Sequence, residues 1–228
     1  MKYVIFDIDG TLTDTTKVDD KCYIESYESL FKVSIKGVKW SEIKNVTDWG
    51  ITEELVEDKL NRTVTKEDIL NLKKLFLSKL KHEFKVDKSK FAEIRGALKF
   101  YQSLLKESEY KIGIATGGWE ETANFKLDTI GINPHEVAYS NSNKFKKREH
   151  ITLDVIEQLN AISSVKPNEI IYFGDGKWDF ETCKNLGIRF IGIDNNNNRK
   201  LEGYGAKEVY NNFESYEIIV NSIKNSSR

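Results

Sequence analysis

Two carboxylates, Asp7 and Asp9, close the apolar run of "YVIFDIDGTLTD" (residues 3–14). Charge at the end of a buried strand costs free energy unless something pairs with it. A cation, a lysine or a reaction would each supply the reason. Two further polar clusters also follow apolar runs, "ATGGW" (115–119) and "GDGKWD" (174–179). Asp7 and Asp175 offer hard oxygen ligands, which suit Mg²⁺ and leave room for water and a phosphate oxygen. Thr116 and the main-chain amides near Gly117 and Gly118 can donate to phosphate, because small residues let the backbone come close. A lysine from "NKFKKREH" (143–150) would neutralise phosphoryl charge.

Short apolar runs at 3–6, 111–115, 136–139, 170–173 and 189–193 are rich in Ile, Val, Phe or Tyr. Segments 120–129, 148–160 and 178–185 lie between them and have the spacing of helices. Strand, helix, strand repeated in this way predicts an α/β fold, a doubly wound parallel sheet with helices on both faces. In such a sheet ligands bind beyond the carboxyl ends of the strands, where all three polar clusters sit. The expected strand order is 3-2-1-4-5.

The interval between the first two strands is far longer than a crossover needs. "DDKCYIESYESLF" and "TKEDILNLKKLFLSKLKHEF" carry apolar residues at helical spacing, and the second opens with Thr65 ahead of Glu67 and Asp68, a capping pattern. Residues 15–91 are therefore expected to form a helical domain, with 1–14 and 92–228 forming the α/β core. "TLTDT" and residues 91–96 would be the hinges. "NNNN" at 195–198 reads as a surface loop.

The chain of 228 residues carries 35 basic against 36 acidic residues, so its overall charge would not draw in nucleic acid. No stretch reaches the length of a membrane span, and the N-terminus lacks a signal-peptide layout. Two separated cysteines, Cys22 and Cys183, exclude a disulfide framework, and three scattered histidines offer no metal site. A reducing cytoplasmic setting is expected.

Together "DIDGT", "ATGG", the lysine-containing segment before a helix, and "GDGKWD" resemble, in order, the motifs of the haloacid dehalogenase superfamily. The likeness is to its phosphatase branch with a helical cap after the first strand, similar to the phosphoglycolate phosphatases. The resemblance implies a Mg²⁺-dependent phosphatase for a small phosphorylated metabolite. Asp7 would be the nucleophile that forms an aspartyl-phosphate. Asp9 would protonate the leaving alcohol and then activate water, while its main-chain carbonyl joins Asp7 and Asp175 on the metal. Thr116 would bind the phosphoryl oxygens, with the Gly117 amide beside it. Asp179 would hold a water on the metal or orient the lysine. Lys147, immediately before its helix, is the expected lysine and Lys146 the second choice, although the segment lacks the Lys-Pro spacing of many relatives. An acid at the position of Asp9 separates phosphate-ester enzymes of the family from its dehalogenases and phosphonate-cleaving members. A phosphomutase of the same superfamily shares all four segments and is the alternative, as is a catalytically silent metabolite-binding module.

Plainer readings exist for each feature. Asp-Gly is a common turn pair. "KFKKREH" also suits a solvated helix start, and Cys183 a small packing residue. Trp119 and Trp178 would either line the leaving-group pocket or pack helix starts against the sheet rim, the second being favoured. Asp48 and Trp49 would either descend over the site or form a turn that caps a helix from Thr52.

Overall fold

The computed structural model describes residues 1–163 and 166–225. Six parallel strands run in the order β3-β2-β1-β4-β5-β6: β1 Lys2–Phe6, β2 Tyr110–Ala115, β3 Ala138–Ser140, β4 Glu169–Gly174, β5 Arg189–Ile193 and β6 Val209–Tyr210. Helices α1 Thr16–Phe31, α2 Asp48–Leu60 and α3 Lys66–Val86 lie between β1 and β2 in the chain. The others are α4 Ala97–Leu105, α5 Glu120–Thr129, α6 Arg148–Ile162, α7 Lys177–Leu186, α8 Lys200–Gly203 and α9 Tyr216–Asn225. The fold is thus α/β with a doubly wound parallel sheet, as the strand and helix periodicity predicts.

Alternation along β1 divides the core. Val4 and Phe6 join the cluster that holds Phe100 and Leu104 of α4, Leu127 of α5 and Ile219 of α9. Tyr3 and Ile5 face the other way, with Val155 and Leu159 of α6 and Cys183 of α7. Side chains two apart share a face of a strand, so a sheet covered on both faces needs apolar residues at every position. All five β1 residues are buried.

Register then sets the level of the functional loops. Phe6 is aligned with Ile114 of β2 and with Phe173 of β4. Asp7 leaves the sheet next, its amide still bonded to the Phe173 carbonyl at 2.9 Å. Thr116 and Asp175 emerge on either side, one residue further along the register.

Three local differences from the sequence reading have simple causes. The third strand is shorter and later than 136–139, because Asn133 accepts the His135 amide and Pro134–Glu136 turns as a 3₁₀ helix. The helix expected from Thr52 starts a turn earlier, at Asp48, because the Thr47 hydroxyl caps the Gly50 amide at 3.0 Å. A sixth strand extends the edge beyond β5, and its two residues are too few to carry a pattern. The Thr65 cap of α3 forms as a reciprocal box with Asp68.

The segment between β1 and β2 has an apolar cluster of its own, built on Tyr23 and Tyr27 of α1, Leu55 of α2, and Leu72, Phe76 and Leu80 of α3. Trp119, fully buried just before α5, inserts into this cluster with its ring centre 6.3 Å from Tyr23 and 6.4 Å from Phe76. It is the sheet's apolar anchor for the inserted helices. Trp119→Ala would leave a large void at this junction and lower stability by about 3–5 kcal/mol, measured as the shift in the urea unfolding midpoint at unchanged slope.

Candidate active site

Asp7 is 3% exposed, and the Arg148 guanidinium, at the first turn of α6, donates through Nη1 to Asp7 Oδ1 at 3.2 Å and to Asp179 Oδ1 at 2.8 Å. Asp179 is itself fixed: its Oδ2 accepts the Gly176 amide at 3.1 Å, and the Tyr172 hydroxyl lies 3.3 Å from Oδ1. Gly10 makes the close packing possible. Its φ of +76° is a glycine conformation, and a Cβ there would fall 2.0 Å from Asp175 Oδ2.

Carboxylate oxygens of Asp7, Asp175 and Asp179 all lie within 4.8 Å of one another. Burial, followed by the neighbouring Asp179, raises the Asp7 carboxyl to about 8, despite the opposing pull of Arg148. Burial and the Asp179 and Asp7 charges push Asp175 well up too. No donor among the described residues reaches the Asp175 carboxylate. One guanidinium thus faces three clustered acids, and one of these is left without a protein partner. That donor set fits a hard divalent cation, which takes oxygen ligands and would relieve the repulsion.

Asp9 is held separately. Its Oδ1 accepts the Thr15 hydroxyl at 2.5 Å, and its Oδ2 accepts from Lys126 of α5. Lys126 is 1% exposed and reaches across to Asp19 of α1 at 2.6 Å. Burial works against the ammonium, but the Asp19 and Asp9 carboxylates outweigh it and hold the lysine charged. This bridge from sheet to inserted helices was absent from the sequence reading. Its lysine lies in a helix far along the chain from both partners, with no motif to mark it.

The loop after β2 clasps the start of α2. Asp48 donates its amide to the Gly117 carbonyl at 2.7 Å, and its Oδ2 accepts the Trp119 amide at 2.8 Å. Arg148 Nε donates to the Val46 carbonyl at 2.9 Å. Gly117 is needed for close approach, since a Cβ would lie 2.6 Å from the Arg148 guanidinium. Thr116 is 1% exposed, its hydroxyl accepting the Gly118 amide at 3.1 Å.

One cavity therefore brings together Asp7, Asp9, Thr116, Gly117 and Asp175. Asp179 stands behind it, against Asp7 and Arg148. Lys147 does not reach it: as the residue before α6 it is exposed, while Lys146 pairs with Glu53 of α2 and Lys144 with Asp154. Arg148, one position later, falls on the inward side of the helix. Its planar guanidinium can serve two carboxylates at once, which a lysine does as a point charge only. The signal was an arginine in the expected place, directly after the two lysines. Trp178 lines the cavity, whereas Trp119 packs, so the two tryptophans divide the roles that the sequence left open. Asp48 begins α2 and lines the cavity as well.

Comparison with known proteins agrees with the architecture. A phosphorylated carbohydrates phosphatase from Thermotoga maritima is 26% identical over 195 residues, 84% of either chain. Among solved structures, a hydrolase from Pseudomonas syringae superposes with a TM-score of 0.75 at 18% identity, covering 98% of this chain and 99% of that one. A β-phosphoglucomutase from Clostridium difficile gives 0.72 at 16% identity, covering 97% and 96%. Residues 4–193, from the first strand to the end of β5, match the haloacid dehalogenase-like hydrolases, and the chain belongs to that family.

Proposed function

We propose that this chain is a phosphatase that hydrolyses a small phosphate monoester through an aspartyl-phosphate on Asp7. The observation that carries the reading is the buried Asp7 carboxylate, at the end of the central strand, with Asp175, Asp179 and Arg148 around it and Asp9 two residues on. Asp7, Asp175 and the Asp9 carbonyl would hold Mg²⁺, which supplies charge neutralisation for the phosphoryl group.

An Asp7 oxygen attacks phosphorus, and the bond to the ester oxygen breaks. Asp9 gives a proton to the departing alkoxide. In the second half Asp9 takes a proton from water, which attacks phosphorus and releases inorganic phosphate with Asp7 restored. Lys126 and Thr15 position the Asp9 carboxylate, one on each oxygen. The Thr116 hydroxyl and the Gly117 amide bind phosphoryl oxygens, and Arg148 takes the charge-neutralising place expected of Lys147.

Residues 15–91 serve as a cap over the core formed by 1–14 and 92–228. The two crossings run side by side, with Thr13 bridged to Glu93 and the Asp14 amide 2.8 Å from the Ala92 carbonyl, a compact hinge. Both cysteines are buried and free, which suits the reducing cytoplasm. No helix among the described residues is long and apolar enough to cross a membrane.

The direct test is phosphate release from a panel of phosphorylated metabolites, with Mg²⁺ or a chelator. Turnover is expected with Mg²⁺ only and is lost in Asp7→Asn. Conversion of a sugar phosphate to its isomer, without net phosphate, would make the chain a mutase instead. Replacing Arg148 by Met is expected to cost about 10²–10³-fold in kcat, whereas Lys147→Met stays near wild type; the opposite ranking would return the role to the lysine.

Stability should carry the same signature. Burial is the chief cause that raises the Asp7 carboxyl to about 8 and those of Asp20 and Asp48 to about 6. A raised folded-state value means that the native protein binds the proton more tightly than the unfolded chain. Metal-free protein should therefore lose melting temperature as pH climbs from about 4 through 8. Millimolar Mg²⁺ should restore more of it near pH 8 than near pH 5, because at the lower pH protons compete for the ligands.

A further inference from the structure

The cavity that holds Asp7, Asp9, Thr116 and Asp175 has a volume of about 90 Å³ in all, which the phosphoryl group and its leaving group must share, so the alcohol that fits is small. Its far wall comes from the inserted helices and the turn before α2, and carries Asp19, Asp20 and Asp48 alongside Tyr23 and Trp40. Asp48 is 8% exposed. Its Oδ2 is bound by the Trp119 amide, while its Oδ1 accepts from no donor among the described residues. Asp20 is similar, with Oδ1 taken by the Trp40 indole at 3.0 Å and Oδ2 without a donor. Trp178 lines the same cavity, and its buried Nε1 has no acceptor.

Arg148 is the only cation on the cavity wall among the described residues, and Asp7 and Asp179 already engage it. Lys126 lies behind the wall, committed to Asp9 and Asp19. Among the described residues no second cation lines the cavity to receive a negative charge on the leaving group, while the unpaired carboxylate oxygens of Asp48 and Asp20 await a group that can donate as well as accept. A hydroxyl does both. Indole and phenol faces give such a group an apolar wall to lie against.

We propose that the leaving-group cavity selects an uncharged, hydroxylated alcohol, a small polyol or sugar, and rejects alcohols that carry a carboxylate or a second phosphate. Asp48 and Asp20 are the residues that decide this. The proposal rests on the phosphatase reading above and deepens it. An anionic tail would have to sit beside like charges already held in place, and a buried partner left unpaired penalises the wrong substrate as much as a good contact rewards the right one.

Glycerol 3-phosphate and 3-phosphoglycerate make a matched pair, since a terminal hydroxymethyl in one is a carboxylate in the other. For wild type with Mg²⁺, kcat/KM should favour glycerol 3-phosphate by on the order of a hundredfold. Asp48→Asn and Asp20→Asn each remove a negative charge from the wall, and should narrow that ratio by raising turnover of 3-phosphoglycerate. Asparagine keeps the shape, and a melting curve for each variant confirms that it folds. Equal or better use of 3-phosphoglycerate by wild type would overturn the proposal, as would a ratio unmoved in both folded variants. A clear preference for phosphoethanolamine over glycerol 3-phosphate would overturn it too, by showing that the carboxylates take an ammonium. p-Nitrophenyl phosphate separates the two levels of inference. If wild type hydrolyses it but shows no preference within the pair, the specificity proposal alone fails; if no phosphate ester is turned over, the phosphatase reading falls and this proposal with it.

Discussion

The compensation of negative charge at the end of one buried strand governs the architecture. β1 is covered on both faces, so the carboxylates that follow it meet little water. Ionised acids in such a place raise one another's proton affinity and weaken the fold unless cations are brought to them. Two cations, Lys126 buried and Arg148 largely so, do this from different directions. Arg148 enters from α6, on one face of the sheet, and serves Asp7 and Asp179. Lys126 enters from α5, on the other face, and serves Asp9 and Asp19. The carboxylate left over, Asp175, is the one that a divalent cation would satisfy.

That division of labour also explains how the inserted helices are held. Their own cluster of aromatic and aliphatic residues meets the core through the rings of Trp119 and Phe125 and through polar contacts made at the site itself. Gly117, Trp119, Ser142 and Lys146 each exchange a hydrogen bond with the first turn of α2 or its cap. Asp19 of α1 reaches Lys126. Trp119 adds a large, fully buried apolar plug. The junction thus combines directional bonds at the site with the aromatic contacts of Trp119 and of Phe125 from α5, which packs on Phe84 and Phe91.

The parts legible in the sequence are those written in local pattern. Unbroken apolar runs gave the strands, helical spacing gave the insertion, and a polar cluster directly after a strand marked Asp7, Thr116 and Asp175 as neighbours before any contact was visible. Capping at Thr65 was legible for the same reason, since both partners lie within one turn. The charge partners were not. Arg148 and Lys126 do their work through which side of a helix they occupy, and a shift of one residue, about 100° of rotation, separates exposed Lys147 from the inward-facing Arg148. A run of basic residues at a helix start says that a cation is near without saying which one turns inward. Lys126 is harder still, because its two partners lie more than a hundred residues away, and an isolated lysine in an amphipathic helix is ordinarily a solvated one.

The Asp9–Lys126–Asp19 bridge joins these threads, because it connects the residue that would move protons to the part of the molecule that would cover the site. Thr15 and Asp19 both belong to the segment that leaves the sheet for the insertion, and both contact the set: Thr15 holds one oxygen of Asp9 and Asp19 shares the lysine that holds the other. A displacement of α1 from the sheet would loosen the restraint on Asp9, whereas Asp7 makes no hydrogen bond to α1 and is held by Arg148 and the end of β1. Asp7 is held by the end of β1 and by Arg148 of α6, and Asp9 by Lys126 of α5 and by Thr15 at the entry to the insertion. On the proposed reading, such a division would tie proton transfer by Asp9 to a covered site, so that exclusion of water and alignment of the acid would become one event.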